Sequence, residues 1–162
     1  MEKRKDIDIV NEIARVAEAE FGWRSYIVGG WVRDLLLNRH CKDIDVEIFG
    51  PKSNKELESF LRRFGPTGVA GIRFMVVKLH TGNGMPIDFS LPRRDTKTGV
   101  GYKGFTVKAD PSMTPEQAAS RRDFTFNGLM YDLTANVRVF SCDTLDIELQ
   151  GQKISHGQRG RN

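Results

Sequence analysis

The sequence predicts an α/β domain of the α+β kind, a small mixed or antiparallel sheet backed by helices. Three observations predict it. Stretches with apolar residues at helical spacing are interleaved with short runs in which apolar and polar residues alternate. From Tyr26 to Gly50, YIVGGWVRDLLLNRHCKDIDVEIFG, a strand, a Gly-Gly turn, a short helix and an acidic strand follow one another. From Phe74 to Leu91 two β-rich runs flank the turn signal Thr81-Gly82-Asn83-Gly84. The 162 residues suffice for one domain with its own core and not for two large ones.

Taken in order, Ile7, Val10, Ile13, Ala14 and Ala17 form a helical stripe within residues 2–19, ending before Phe21-Gly22. Tyr26-Ile27-Val28 reads as the first strand. Trp31, Val32, Leu35 and Leu36 give the stretch Trp31 to Asn38 a helical pattern. Ile44, Val46 and Ile48 then alternate with Asp43, Asp45 and Glu47, so the aliphatic set enters the core and the acids line one open face. Ser53-Asn54-Lys55-Glu56 fits a capping box for a helix running to about Phe64 and stopped by Gly65-Pro66. In the hairpin that follows, Ile87, Phe89 and Leu91 alternate with Asp88 and Ser90, which turns Asp88 away from the core. Pro92 to Asp110 is a long polar, glycine-rich loop whose Arg93, Arg94, Lys97, Lys103 and Lys108 are interleaved with Tyr102 and Phe105, a pattern that can track phosphates and stack bases. Thr114-Pro115-Glu116-Gln117 starts a helix, with Thr as N-cap and Pro in the first helical position, and it runs into Arg121-Arg122-Asp123. Val137 to Phe140 reads as a short strand, after which periodicity is lost.

The Tyr26–Gly50 stretch carries the chemistry. Gly29-Gly30 lets a ligand approach the backbone, and the helix behind it would aim free N–H groups at a phosphate. Acids two apart on a strand share a face, and Mg²⁺ takes oxygen ligands from one or two carboxylates plus substrate phosphates. A pair of such ions can stabilise the attacking and leaving oxygens of a phosphoryl or nucleotidyl transfer. A lone Asp-x-Asp reads as a solvated edge strand; the ordered combination favours a metal-phosphate site. Asp88 joins that site if the hairpin adjoins the acidic strand. Arg121 and Arg122 point about 100° apart on a helix, so one can reach a triphosphate while the other packs or pairs.

Hydrophobic content of 39% and charged content of 28% describe an ordinary globular protein, and the net charge of +4 is compatible with an RNA or nucleotide partner. Cys41 and Cys142 form neither a disulfide framework nor a zinc spacing, which suits a reducing, cytoplasmic setting. His40, His80 and His156 share no ligand spacing. The N-terminus has no apolar leader core, and no stretch approaches the roughly 20 residues of a membrane span.

GGWVRDLLL followed by KDIDVEIFG resembles the signature of the nucleotidyltransferase head of CCA-adding enzymes and bacterial poly(A) polymerases, the second class within the polymerase-β superfamily. RRDFTFNGLMYD, from Arg121 to Asp132, is similar to that family's other signature. The resemblance covers roughly Ser25 to Asp132 and implies a polymerase-β-like head at residues 1–135, followed by a degenerate start of a neck or a flexible tail at 136–162. It implies Mg²⁺-dependent addition of nucleotides from CTP and ATP to the 3′ end of tRNA. Asp43 and Asp45 would bind metal, and Asp88 would be a third catalytic carboxylate. Gly29, Gly30 and Arg33 would hold the triphosphate. Arg122 would contact the nucleotide, with Asp123 and Asn127 placing the ribose or bracing the site. Two alternatives stay open, a poly(A) polymerase acting on RNA 3′ ends and a non-catalytic nucleotide- or RNA-binding head. Asn38 stands where the family usually has glycine and Gly128 where it has alanine. The segment after the second signature has no proline, and the family's helical neck and body do not follow, which leaves self-association or a missing C-terminal part as sources of base selection.

Overall fold

Aliphatic residues at helical and strand spacing put one layer of helices on one face of a sheet. The computed structural model of the chain describes residues 5–41, 43–70, 76–97, 105–110, 112–120, 130–133, 139–140, 147–149 and 152–154. The elements run α1 (Asp6–Phe21), β1 (Arg24–Val28), α2 (Gly30–Leu36), β2 (Asp45–Phe49), α3 (Asn54–Leu61), β3 (Thr67–Ala70), β4 (Val76–Leu79), β5 (Ile87–Ser90), β6 (Arg93–Lys97), β7 (Phe105–Ala109), α4 (Pro115–Ser120), β8 (Met130–Asp132), β9 (Val139–Phe140), β10 (Ile147–Leu149) and β11 (Gln152–Ile154).

The main sheet has seven strands in the order β3-β4-β5-β2-β1-β8-β9. Its described pairs are antiparallel except β2 with β5, which is parallel. The expected mixed sheet backed by helices is what forms. Ile27, Val46, Ile48, Val77, Leu79, Ile87 and Phe89 project from one face into a core closed by Val10, Ile13 and Ala17 of α1 and by Leu57, Phe60 and Leu61 of α3. Burying each such side chain fully stabilises by roughly 1.5–3 kcal/mol.

Helix ends follow their local chemistry. Asp6 and Asp8 in the first turn of α1 favour its positive end, and Gly22, at φ 69°, takes the left-handed conformation that ends it. Ser53 Oγ accepts from the Glu56 amide at 3.2 Å, as the capping pattern predicts, and Glu56 returns the contact one residue earlier, to the Lys52 amide at 2.6 Å. Thr114 and Gln117 make the reciprocal pair at the start of α4, at 3.0 and 3.2 Å. Trp23 belongs to the core, stacked on Phe21 at 4.3 Å, and Trp31 is half-buried against Tyr131.

Four expectations are corrected. α3 stops at Leu61 rather than near Phe64, because Arg63 and Phe64 tighten to bonds with residues three back, Phe60 and Leu61. The stretch Pro92 to Asp110 is not a plain loop; β6 and β7 pair as an antiparallel ribbon closed at its base by Asp110 N–H donating to the Pro92 carbonyl at 2.8 Å. The charged sequence of β6, RRDTK, gives no strand signal, since a two-stranded ribbon needs no continuous apolar face. In the tail, where periodicity is lost, β10 and β11 pair as a short hairpin. Finally, Glu47 does not lie on an open face: it is 1% exposed. Tyr26, Val28, Phe49, Met113, Ala118 and Met130 form a second apolar cluster over that part of the sheet, and alternation fixes the face a residue takes without fixing what covers it.

Candidate active site

The sheet face away from α1 and α3 carries a cleft of about 220 Å³ lined by Val28, Gly29, Asp45, Glu47, Val76, Asp88, Ser90 and Arg93. β1 supplies its floor and ends at Gly29, which has φ 74° and serves as N-cap of α2 without a side-chain cap. Val28 is the cross-strand partner of Asp45. A Cβ placed on Gly29 would come within 3.3 Å of Asp45 Oδ2, so the absent side chain leaves the space the carboxylate faces. A Cβ on Gly30 would likewise come within 3.3 Å of Arg33 Nη2, which puts the Arg33 guanidinium against the glycine turn. Arg33 Nε donates to Asp34 Oδ1 at 3.0 Å, and this hydrogen bond holds the Asp34 carboxyl below the usual carboxylate range.

The parallel pairing of β2 and β5 sets Asp45 in register with Asp88 and Glu47 with Ser90. The condition on Asp88 is thus met: the hairpin adjoins the acidic strand, and Asp45 and Asp88 stand side by side. Asp43 lies two residues before β2, exposed, and is not among the cleft's lining residues. The structure brings Gly29, Asp45 and Asp88 together in the cleft, whereas Gly30 and Arg33 stand against each other at the start of α2 and are not among its lining residues. Arg122, Asp123 and Asn127 lie outside the described residues.

Periodicity alone did not single out Lys78. Its Nζ lies 2.7 Å from Asp88 Oδ1 and 3.0 Å from Oδ2, and Lys78 and Asp88 are direct cross-strand partners. The alternation Val77-Lys78-Leu79 was the available signal; it gives the face but not the neighbour. On the same face Arg24, stacked over Tyr26, bridges to the fully buried Asp132 at 2.6 Å.

Two adjacent carboxylates beside a cradle that a Cβ would fill fit a hard divalent cation that arrives with a phosphate. Among the described residues no three acidic, histidine or cysteine side chains form a ready-made cage. A larger cavity of about 680 Å³, among Lys5, Ile7, Trp31, Leu35, His40 and Met85, shares no lining residue with this cleft. Its acid, Asp6, is committed to Thr81 and Asn83 at 2.9 and 2.8 Å. Burial raises the thiol pKa of Cys41 beside it.

A sequence profile described as the Poly A polymerase head domain matches residues 25–149. The chain belongs to this family. A multifunctional CCA protein of Xylella fastidiosa is 42% identical over 113 residues, covering 68% of this chain and 24% of the relative. This head-domain chain thus spans about a quarter of the length of the curated relatives it matches, 24% in each of those compared. Among solved structures, a CCA-adding enzyme in complex with CTP aligns with a TM-score of 0.55 at 28% identity, over 80% of this chain and 27% of that one. A tRNA nucleotidyltransferase complexed with a primer tRNA and an incoming ATP analogue aligns with a TM-score of 0.52 at 26% identity, over 75% and 29%. No described helix is long and apolar enough to cross a membrane.

Proposed function

We propose that this head domain catalyses Mg²⁺-dependent transfer of nucleoside monophosphates from CTP and ATP to the 3′ end of tRNA, with release of pyrophosphate. The observation that carries the reading is Asp45 facing the Gly29 turn in register with Asp88. The 3′-hydroxyl oxygen forms a bond to the α-phosphorus, the bond from that phosphorus to the β-bridging oxygen breaks, and the hydroxyl proton leaves to solvent or a carboxylate.

Gly29 and Gly30 admit the triphosphate to the backbone, and Arg33 offers it a forked guanidinium. Asp43 and Asp45 would hold the magnesium, which when bound neutralises phosphate charge and lowers the pKa of the attacking hydroxyl. Asp88 stabilises the hydroxyl as it gives up its proton. Arg122 steadies the nucleotide, with Asp123 and Asn127 bracing it. The cytoplasm, where tRNA ends are processed, is the compartment this reading implies. The first 135 residues constitute the head, and 136–162 the start of a neck or a tail.

The test is incubation with labelled tRNA lacking its 3′ terminus, Mg²⁺, and each nucleoside triphosphate singly and together. Ordered addition of C, C and A supports the proposal. Growth of a long A tail on generic RNA moves the function to poly(A) synthesis, which the family description also fits. Binding of ATP with no transfer leaves a nucleotide-binding head.

A further inference from the structure

β4 turns Val77 and Leu79 into the core and Lys78 toward the face that bears the cleft. Lys78 has no part in the transfer described above, yet its ammonium engages both oxygens of Asp88, at 2.7 and 3.0 Å. Asp88 has Lys78 as its partner on β4 and Asp45 as its partner on β2, so it stands between a lysine ammonium and a second acid of the cleft. A carboxylate whose two oxygens both accept from an ammonium has fewer lone pairs to offer a metal, and the neighbouring positive charge repels one.

We propose that Lys78 is a positioning residue that holds Asp88 in competition with a divalent cation. Asp88 joins Asp45 as a cation ligand only by loosening its grip on Lys78, and the released ammonium then faces the phosphates that accompany the cation. The site is thereby biased against a bare divalent ion and toward one delivered with a nucleoside triphosphate. This rests on the reading of the cleft as a cation-assisted transfer site.

The test uses Mn²⁺ alone as probe, with bound and free ion followed by electron paramagnetic resonance on the full 162-residue chain. Lys78→Met keeps the aliphatic stem of a side chain that is one-third exposed, so thermal unfolding should shift little. The expected result is about fivefold tighter Mn²⁺ binding in Lys78→Met, the size of a partly exposed ion pair that no longer competes. Lys78→Arg should stay near the parent value, and Lys78→Met should gain nothing when added to Asp88→Asn. Unchanged or weaker binding in Lys78→Met, no binding in any variant, or a gain that persists in the Asp88→Asn background would overturn the proposal, the last because it shows a general field effect. The two readings fail separately. Mn²⁺ gain without nucleotide transfer in the parent leaves the competition standing and removes the transfer, whereas transfer with unchanged Mn²⁺ affinity does the reverse.

Discussion

Gly29 combines two constraints in one residue. Its φ of 74° disfavours any side chain, and the place a Cβ would take is 3.3 Å from an Asp45 oxygen. Gly29→Ala is expected to destabilise the fold by about 1–2 kcal/mol, measured by denaturant unfolding, and to weaken ATP binding measured by calorimetry. Asp45→Ala should behave in the opposite way. Because Asp45 is exposed, its melting temperature should stay near that of the parent, while nucleotide transfer falls on the order of a hundredfold to a thousandfold or beyond. Retained transfer would remove Asp45 from the chemistry. The glycines and Asp45 were legible in the sequence because backbone freedom and strand alternation are local properties. The burial of Glu47 and the pairing of Lys78 with Asp88 are not legible for the converse reason: alternation gives the face a residue takes, and what lies over that face or beside it is decided by the tertiary fold.

Caps and periodic stripes made the helices readable as elements. Ser53 and Thr114 both accept the hydrogen bonds their positions predict. Ser53→Ala should cost about 1 kcal/mol in equilibrium unfolding, the usual worth of an N-cap. The C-terminal end of α1 is joined to the turn that follows α3 by a two-pronged pair, Arg63 Nη1 and Nη2 to Glu20 at 2.6 and 2.8 Å. The hydrogen bond from Arg63, with its charge, lowers the Glu20 pKa from an ordinary 4.5. A folded-state pKa below the unfolded one means that the pair's contribution is fully present above the ordinary carboxylate range. It is lost as pH falls through the lowered value. In Arg63→Ala, NMR titration of Glu20 should return toward 4.5, and the small pH dependence of stability in that acid range should diminish. The β6–β7 ribbon was the least legible element, because β6 (Arg93–Lys97, RRDTK) has no apolar residue to announce it, although Phe105, Val107 and Ala109 alternate in β7.

For the whole molecule, the core cluster beneath the sheet dominates stability. Phe89 is fully buried there, next in sequence to Asp88, and Phe89→Ala should cost roughly 3–5 kcal/mol in denaturant unfolding. If the cleft depends on the sheet beneath it, nucleotide binding should be lost over the same denaturant range as the sheet signal. The fold class and the helix-backed sheet were readable from periodicity, but strand order was not: nothing in residues 45–49 says that their neighbour is 87–90.

That parallel pair also has a consequence for how the chain is made. During synthesis β2 emerges well before β5, with α3, β3 and β4 between them. Until Ser90 has left the ribosome, one flank of β2 has an unmet row of backbone donors and acceptors, and Asp45 has no Asp88 beside it. The cleft therefore comes into being only once β5 has emerged and paired. A nascent chain halted before Ile87 would display an adhesive strand flank without a complete pair of carboxylates, so a pause placed there would favour chaperone capture over premature nucleotide binding.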